Sequence, residues 1–226
     1  MPPWEDLPPT LQTEEVRPYY EALSRRGLQL RFKRLLDVVG ATVLFVLLGW
    51  LFVILALLIK LDSPGPVFFR QRRVTQFGRE FRIVKFRTMT HRPAAPGDQI
   101  TRGDDPRITR VGAVLRRYRL DEISQLIDIL RGTMSFVGTR PEVPDYVRQY
   151  TPQMRATLLL PAGVTSTASI EFKDEAQILA AAPPGQDAYV TQVLPAKMRL
   201  NLRDVRDFSI GRDLRIAFRT ILAVAT

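Results

Sequence analysis

The longest uninterrupted apolar segment of the chain runs from Val38 to Ile59, over 22 positions that carry no charge and a single hydroxyl group, that of Thr42. At about 1.5 Å rise per residue, a helix of this length reaches roughly 33 Å, enough to cross the hydrocarbon layer of a bilayer. A buried core helix normally keeps a polar stripe, and a signal peptide has a shorter apolar region. The pattern therefore predicts a membrane-embedded helix.

Basic residues flank this apolar run on both sides. Cytoplasmic flanks of membrane helices are rich in Lys and Arg, so both ends of the run are expected on the cytoplasmic side. A re-entrant helix, which enters and leaves the same leaflet, satisfies this expectation, whereas a straight crossing does not. Gly49, next to Trp50, is the candidate for the required break, because Gly weakens a helix by about 1 kcal/mol. The flanking cations are Arg25, Arg26, Arg31, Lys33 and Arg34 before the run and Lys60, Arg70, Arg72, Arg73, Arg79, Arg82, Lys85 and Arg87 after it.

The chain divides into three parts around this helix. Residues 1–22 are rich in Pro and acidic residues and poor in aliphatic ones, which predicts a disordered or loosely docked tail. Residues 23–61 combine a basic, amphipathic approach with the apolar run, as expected of an interfacial helix that leads into a re-entrant membrane helix. Residues 62–226 are long enough for one cytoplasmic domain with its own core.

Short strand patterns and helical patterns alternate in this domain. Strands are expected at 67–69 and 81–86, as a hairpin around the turn at Phe77-Gly78-Arg79. Apolar residues at helical spacing predict helices over 108–118 and 123–130, and Gly132 ends the second of these. The fold class is therefore α/β, mostly helical, in a membrane-associated domain with an N-terminal re-entrant membrane helix.

A last helix is predicted near the C-terminus, where apolar and basic residues occupy different faces. It could lie on anionic lipid or pack against the core of the domain. The formal net charge of +10 and the isoelectric point near 10.5 also imply an anionic partner. Lipid headgroups, nucleotide phosphates and nucleic acid all fit this charge, and the membrane segment favours the first two. The chain has no cysteine, which excludes disulfides and thiolate metal sites.

The candidate reactive groups are Asp121 and Glu122, at the predicted start of a helix and just behind Arg116. Neighbouring helical residues point about 100° apart, so one carboxylate can face a substrate phosphorus while the other holds a divalent cation. A helix N-terminus favours the ionised carboxylates and a nearby phosphate. Acidic residues also commonly cap helices, so the pair indicates a reactive site only if neighbouring segments supply groups that bind phosphate.

Two further segments supply that context. The stretch from Gly132 to Pro141 is rich in turn residues, and its Arg140 offers a planar fork to a phosphate group. Lys85 and Arg87 add two cations at the end of a predicted strand. Either segment alone could be solvated surface, but together with a membrane helix they indicate a phosphate-binding site.

Five ordered motifs resemble those of the bacterial sugar transferases, also called small monotopic phosphoglycosyl transferases. The resemblance covers the chain from about Arg31 to the C-terminus. The motifs are Gly65-Pro-Val-Phe-Phe-Arg-Gln71, Lys85-Phe-Arg-Thr-Met89, Asp105-Pro-Arg-Ile-Thr-Arg110, Leu120-Asp-Glu-Ile-Ser-Gln-Leu126 and the stretch from Gly132 to Pro141.

The resemblance implies a Mg²⁺-dependent transfer of a sugar-1-phosphate from a UDP-sugar to polyprenyl phosphate, with release of UMP. It also implies the cytoplasmic face of a bacterial inner membrane and leaves a homo-oligomer open. By position, Asp121 resembles the nucleophile that holds the phospho-sugar covalently, and Glu122 its partner in metal binding. Lys85, Arg116 and Arg140 fall at phosphate-contacting positions. A carboxylate nucleophile splits the transfer into two steps, and cations offset the phosphate charge.

The chain also departs from the family pattern. Gly49-Trp50 stands where the family breaks its membrane helix with Ser-Pro, and the segment 163–169 lacks a tryptophan and an amide. Asn201 stands where the family tends to have aspartate. Because these changes lie away from Asp121 and Glu122, we expect Asn201 and residues 166–169 to belong to an altered sugar or uridine pocket.

Two other functions are compatible with the sequence. A non-enzymatic homologue that binds polyprenyl phosphate or partner enzymes is favoured by the departures after Gly163. A membrane-tethered nucleic-acid binder is suggested by charge alone, since the sequence has no helix-turn-helix, zinc or aromatic RNA-binding signature. We therefore expect UDP-sugar, polyprenyl phosphate and anionic lipid as partners, and no nucleic acid.

Overall fold

The computed structural model describes residues 1–90, 105–173 and 188–225, and helices dominate in these ranges. The α-helices are α1 (Arg17–Ser24), α2 (Gly27–Asp62), α3 (Arg110–Arg117), α4 (Leu126–Arg131), α5 (Pro144–Val147), α6 (Thr167–Glu171), α7 (Leu194–Arg206) and α8 (Ile210–Ala225). The strands are β1 (Phe68–Val74), β2 (Glu80–Phe86), β3 (Met134–Val137) and β4 (Ala162–Thr165). Short 3₁₀ helices cover Trp4–Asp6, Pro9–Leu11, Gln76–Gly78, Leu120–Gln125 and Gln153–Leu159, and a π-helical segment covers Tyr189–Val193.

Helix α2 joins the basic approach and the apolar run into one helix of 36 residues. By length and composition it could cross a membrane, and only 11% of its most apolar window is buried in the protein. That exposure excludes an ordinary core helix. The helix continues through Gly49 without interruption, so the break predicted there is wrong. A lone Gly costs about 1 kcal/mol and does not stop a helix that is otherwise strongly favoured.

One face of α2 docks on the rest of the protein in two regions, one in each half of the helix. The buried positions are Lys33, Asp37, Ala41, Leu55 and Ile59, which recur at helical spacing. The opposite face stays exposed and apolar, with Leu28, Val39, Val46, Trp50, Val53, Leu57 and Leu61 among its members.

Both halves of α2 contact the same domain. Ala41 packs in a cluster with Ile129 and Met134, whereas Leu55 and Ile59 pack in a cluster with Phe86 and Leu115. The helix therefore packs on this domain through both its N-terminal and its C-terminal half.

The predicted hairpin is confirmed, because β1 and β2 pair antiparallel. Phe77 and Gly78 make the turn with positive φ angles of 60° and 74°, a conformation that glycine adopts readily and phenylalanine rarely. A second two-stranded sheet pairs β3 with β4 in parallel. Helices cover these small sheets, which agrees with a mostly helical α/β fold.

The N-terminal residues, for which the sequence predicted a disordered or loosely docked tail, dock on the domain through their apolar side chains. Leu7, Leu11, Val16 and Leu23 are buried against residues of the 3₁₀ helix Gln153–Leu159 and of α7. Pro and acidic residues dominate the composition of this segment, but its few aliphatic side chains all reach one apolar cluster. The segment is therefore a docked part of the core.

The predicted C-terminal amphipathic helix is confirmed as α8. Ile216 is buried against the domain, while Leu214, Phe218, Ile221 and Leu222 are exposed. The exposed apolar residues form the part of this helix that remains available to a lipid surface.

Candidate active site

The acidic pair lies in the 3₁₀ helix Leu120–Gln125, which precedes α4. The residue before this helix, Arg119, adopts the left-handed conformation with φ 55° and ψ 21°, which is uncommon for a residue with a side chain. The pair therefore stands at a sharp turn, and not in the first turn of an α-helix as the sequence predicted. Left-handed backbone at this point is typical of functional sites, where the surrounding fold holds the strain.

Two polar side chains fix this turn onto strand β2. Ser124 Oγ donates to the carbonyl of Val84 at 3.0 Å, and Asp128 Oδ2 accepts from the Val84 amide at 2.8 Å. Both main-chain groups of Val84 are thereby satisfied by the segment that follows the acidic pair. The next residue, Lys85, then points at Glu122.

Glu122 binds two cations from different parts of the fold. Lys85 Nζ donates to its Oε1 at 2.9 Å, and Arg140 donates to both carboxylate oxygens through Nη1 and Nη2. The Glu122 side chain is only 11% exposed, so these are charge-assisted bonds in a poorly solvated place. The structure brings together Lys85, Glu122 and Arg140, three residues that the sequence analysis assigned to one site.

The electrostatics favour the charged forms of Glu122 and Arg140, whereas burial opposes the charge on Lys85. Burial opposes ionisation of Glu122, but the Arg140 and Lys85 charges and hydrogen bonds hold its pKa well below the ordinary value. Burial lowers the pKa of Lys85, and Glu122 partly offsets this. Glu122 raises the pKa of Arg140. One carboxylate thus holds two cations, and the cluster carries an excess positive charge.

Asp121 differs from its neighbour. Within the described residues no hydrogen-bond donor reaches its carboxylate. Burial and the adjacent Glu122 charge raise the pKa of Asp121, while Lys85, Arg116 and Arg140 oppose that shift. A carboxylate that is unbonded and faced by cations is suited to attack an electrophile or to take up a cation.

The loop that carries Arg140 is set by the β3–β4 pair. The Gly138 amide donates to Thr165 O and the Gly163 amide to Thr139 O, both at 2.9 Å. A Cβ on Gly163 would lie 2.2 Å from the Gly138 nitrogen, so the two backbones approach this closely only because glycine has no side chain.

Residues that the sequence did not single out for this site hold the chain just beyond Arg140. Arg73 Nη1 donates to Pro141 O at 3.0 Å, and Tyr189 donates a hydrogen bond to the buried carboxylate of Glu142. Lys197 Nζ lies 3.9 Å from that carboxylate. A buried glutamate two residues after Arg140 is a weak signal, because its partners are distant in the sequence.

Arg87 corrects one prediction. Its Nη2 donates to Ile59 O at 3.2 Å and to Ser63 O at 2.6 Å, and its Nη1 donates to Pro64 O at 2.8 Å. The guanidinium therefore caps the C-terminal carbonyls of α2. It is buried there and does not join the cations around Glu122.

Arg116 and Asn201 stand apart from the cluster. Arg116, on α3, is half-buried and close enough for its charge to lower the pKa of Asp121. Asn201 lies on the inner face of α7, and its Oδ1 is buried without a partner in the described residues. Ser166, from the predicted pocket, accepts from the Ser169 amide and caps α6.

Cations around a free carboxylate suit the binding of a phosphate group, and the comparisons with known proteins point to a family that handles sugar phosphates. The sequence matches the bacterial sugar transferase family over residues 28–226. It is 37% identical over 225 residues to the UDP-glucose:undecaprenyl-phosphate glucose-1-phosphate transferase of Caulobacter vibrioides. This alignment covers 98% of this chain and 79% of that protein.

Two more relatives extend this comparison. The UDP-N-acetylgalactosamine-undecaprenyl-phosphate N-acetylgalactosaminephosphotransferase of Aeromonas hydrophila is 34% identical over 197 residues, or 86% of this chain and 44% of that protein. The exopolysaccharide production protein ExoY of Rhizobium meliloti is 34% identical over 211 residues, or 85% of this chain and 84% of that protein. The chain belongs to the bacterial sugar transferase family and spans less than half of the Aeromonas relative.

Proposed function

We propose that this protein transfers a sugar-1-phosphate from a UDP-sugar to polyprenyl phosphate and releases UMP. The observation that carries the proposal is the unbonded carboxylate of Asp121 beside the ion cluster of Lys85, Glu122 and Arg140. The names of the Caulobacter and Aeromonas relatives support both substrates. The relatives are named for different sugars, glucose and N-acetylgalactosamine, so the proposal specifies a UDP-sugar and no single sugar.

In the proposed mechanism an Asp121 oxygen attacks the phosphorus that bears the sugar. A P–O bond to Asp121 forms, and the bridging P–O bond breaks as UMP leaves. A phosphate oxygen of polyprenyl phosphate then attacks the same phosphorus and releases the Asp121 carboxylate. Lys85 and Arg140 stabilise the charge that develops on the phosphoryl oxygens, and Glu122 holds these two cations in place.

We propose that Asp121 and Glu122 bind Mg²⁺ together with the substrate phosphates. Mg²⁺ usually binds through one or two carboxylates together with substrate phosphates, and Asp121 with Glu122 fits that number. The described residues contain no cluster of three or more metal-ligating side chains, so most ligands would come from substrate and water. The Glu122 oxygens already accept bonds from Lys85 and Arg140, and Asp121 is the freer ligand. The ion would neutralise diphosphate charge.

The location proposed is the cytoplasmic face of the bacterial inner membrane. The docking of both halves of α2 on the same domain supports a placement in which both ends of the helix lie on the cytoplasmic side of the bilayer. Its exposed apolar face and that of α8 would contact lipid, and the cations that flank these faces would contact anionic headgroups.

This location is tested by cysteine labelling. Cysteines at Arg31 and Arg70 should both resist an impermeant thiol reagent that is added from the periplasm. Labelling at Arg31→Cys alone would establish a crossing.

The activity is tested by incubating the purified protein with undecaprenyl phosphate, Mg²⁺ and a panel of UDP-sugars while UMP is measured. We expect UMP release with at least one sugar, and none from Asp121→Asn. The matched control is Asp145→Asn, which removes an exposed carboxylate outside the cluster. Absence of UMP with every sugar, together with binding of polyprenyl phosphate, would support the non-enzymatic alternative.

A further inference from the structure

Three charged residues near the start of α2 face the protein and not the solvent. They are Lys33, Arg34 and Asp37, and together they span less than two helical turns. Lys33 is 8% exposed and Asp37 5% exposed. Charged side chains are rarely this buried unless they are paired, so their partners indicate what they do.

Arg34 binds the end of α4. Its Nη1 donates to Ile129 O at 2.6 Å and its Nη2 to Leu130 O at 3.0 Å. These carbonyls belong to the last turn of α4, where a cation also interacts favourably with the helix dipole. The membrane helix therefore caps the helix that directly follows the acidic pair.

Asp37 and Lys33 bind the next element, strand β3. Asp37 Oδ1 accepts from the Phe136 amide and from Ser135 Oγ, both at 3.1 Å. Lys33 Nζ donates to Val137 O at 2.9 Å and pairs with Asp213 of α8. Side chains of α2 thus bond β3, whose other partner is β4.

These partners lie in the stretch of chain that joins Glu122 to Arg140. That stretch consists of α4, Gly132, β3 and the loop from Gly138, and its two ends meet in the Glu122–Arg140 ion pair. Side chains of α2 bond this stretch at α4 and at β3. These bonds fix the path of the chain between Glu122 and Arg140, and so the position of one residue relative to the other.

We propose that Lys33, Arg34 and Asp37 form a clip, a set of positioning residues that sets the geometry of the Glu122–Arg140 pair. The membrane helix is then a working part of the active-site scaffold as well as an attachment to lipid. This inference rests on the proposed function for its kinetic readout. Its structural readout does not depend on any activity.

The test compares Asp37→Ala and Asp37→Asn with the control Arg31→Met, which removes an exposed charge from the same helix. Asn keeps the oxygen that accepts both hydrogen bonds, whereas Ala removes it. For Asp37→Ala we expect kcat to fall about 10- to 100-fold with KM for the UDP-sugar changed less than about threefold, because misplaced cations act chiefly in the transition state. Asp37→Asn should recover most of kcat, and membrane retention should be unchanged in all three.

The second readout is amide hydrogen exchange over residues 138–142, which the clip does not touch directly. Exchange there should rise in Asp37→Ala and stay at the wild-type level in Asp37→Asn and Arg31→Met. A loss of thermal stability with normal kcat and unchanged exchange in the folded protein would overturn the clip. If the wild type releases no UMP at all, the proposed function fails, and the exchange result alone decides on the clip.

Discussion

The ion pair between Glu122 and Arg140 permits a double-mutant cycle that separates two roles for Glu122. In one role Glu122 acts by holding Arg140 and Lys85, and in the other it acts independently as a metal ligand. The variants are Glu122→Gln, Arg140→Met and the double variant, with UMP release as the assay. The control cycle pairs Glu122→Gln with Arg116→Met, since Arg116 makes no bond to Glu122 within the described residues.

The size of the effect follows from the burial of the pair. The Glu122 side chain is 11% exposed and the Arg140 side chain 30% exposed. Loss of one partner of a buried ion pair costs about 3 to 5 kcal/mol, because the other charge is left uncompensated. Because Arg140 is partly exposed, we expect a cost at the lower end of this range. About 3 kcal/mol is a loss of about 150-fold in rate if it falls on the transition state.

The two roles of Glu122 predict different losses of activity for the double variant. If Glu122 acts through Arg140, the double variant should lose little more than Arg140→Met alone, with a coupling energy near 3 kcal/mol. If Glu122 acts independently, the losses should add to about 6 kcal/mol, or roughly 10⁴-fold. Additivity within about 0.5 kcal/mol, matching the control cycle, would refute the view that Glu122 is chiefly a partner of the cations.

Three further predictions test other parts of the protein. Asp121→Asn should lower turnover by at least about 10⁴-fold, and a radiolabelled UDP-sugar without acceptor should label the wild type but not this variant; an unlabelled wild type would favour direct attack by polyprenyl phosphate. Leu11→Ala should destabilise the protein by about 2 to 5 kcal/mol and lower the melting temperature by at least about 4 °C, unlike Thr10→Ala at an exposed position. Arg87→Met should lower thermal stability by leaving carbonyls unpaired, with KM for the UDP-sugar unchanged; a raised KM at normal stability would return Arg87 to the phosphate site.

Local patterns predicted the parts of the structure that depend on local chemistry. The hairpin follows from two short apolar runs around Phe77-Gly78, and the end of α4 follows from Gly132, which adopts a φ of 82°. The position of Arg140 close to Glu122 also agreed with expectation. It came from the order of the motifs, however, because no spacing rule brings together residues 18 positions apart across a helix and a strand.

Composition did not show how the N-terminal segment docks, because it averages over the residues of that segment. Its prolines and carboxylates give it the composition of a tail, yet its three buried aliphatic side chains need only one apolar surface to dock. That surface is made by α7 and the 3₁₀ helix Gln153–Leu159, more than 100 residues further along the chain. Sequence patterns near the segment cannot reveal a partner at that distance.

Sequence patterns also do not show which acceptor a basic residue binds. A guanidinium group binds a phosphate and a set of backbone carbonyls with the same donors, so a strand-end arginine predicts both equally well. The sequence analysis assigned both Arg87 and Arg140 to a phosphate site, but the fold brings helix carbonyls to one and a carboxylate next to the nucleophile candidate to the other. What separates the two is the acceptor within reach. Arg34 follows the same rule, because a cation that sequence alone assigns to the membrane surface instead binds the carbonyls of α4, next to the segment that carries the chemistry.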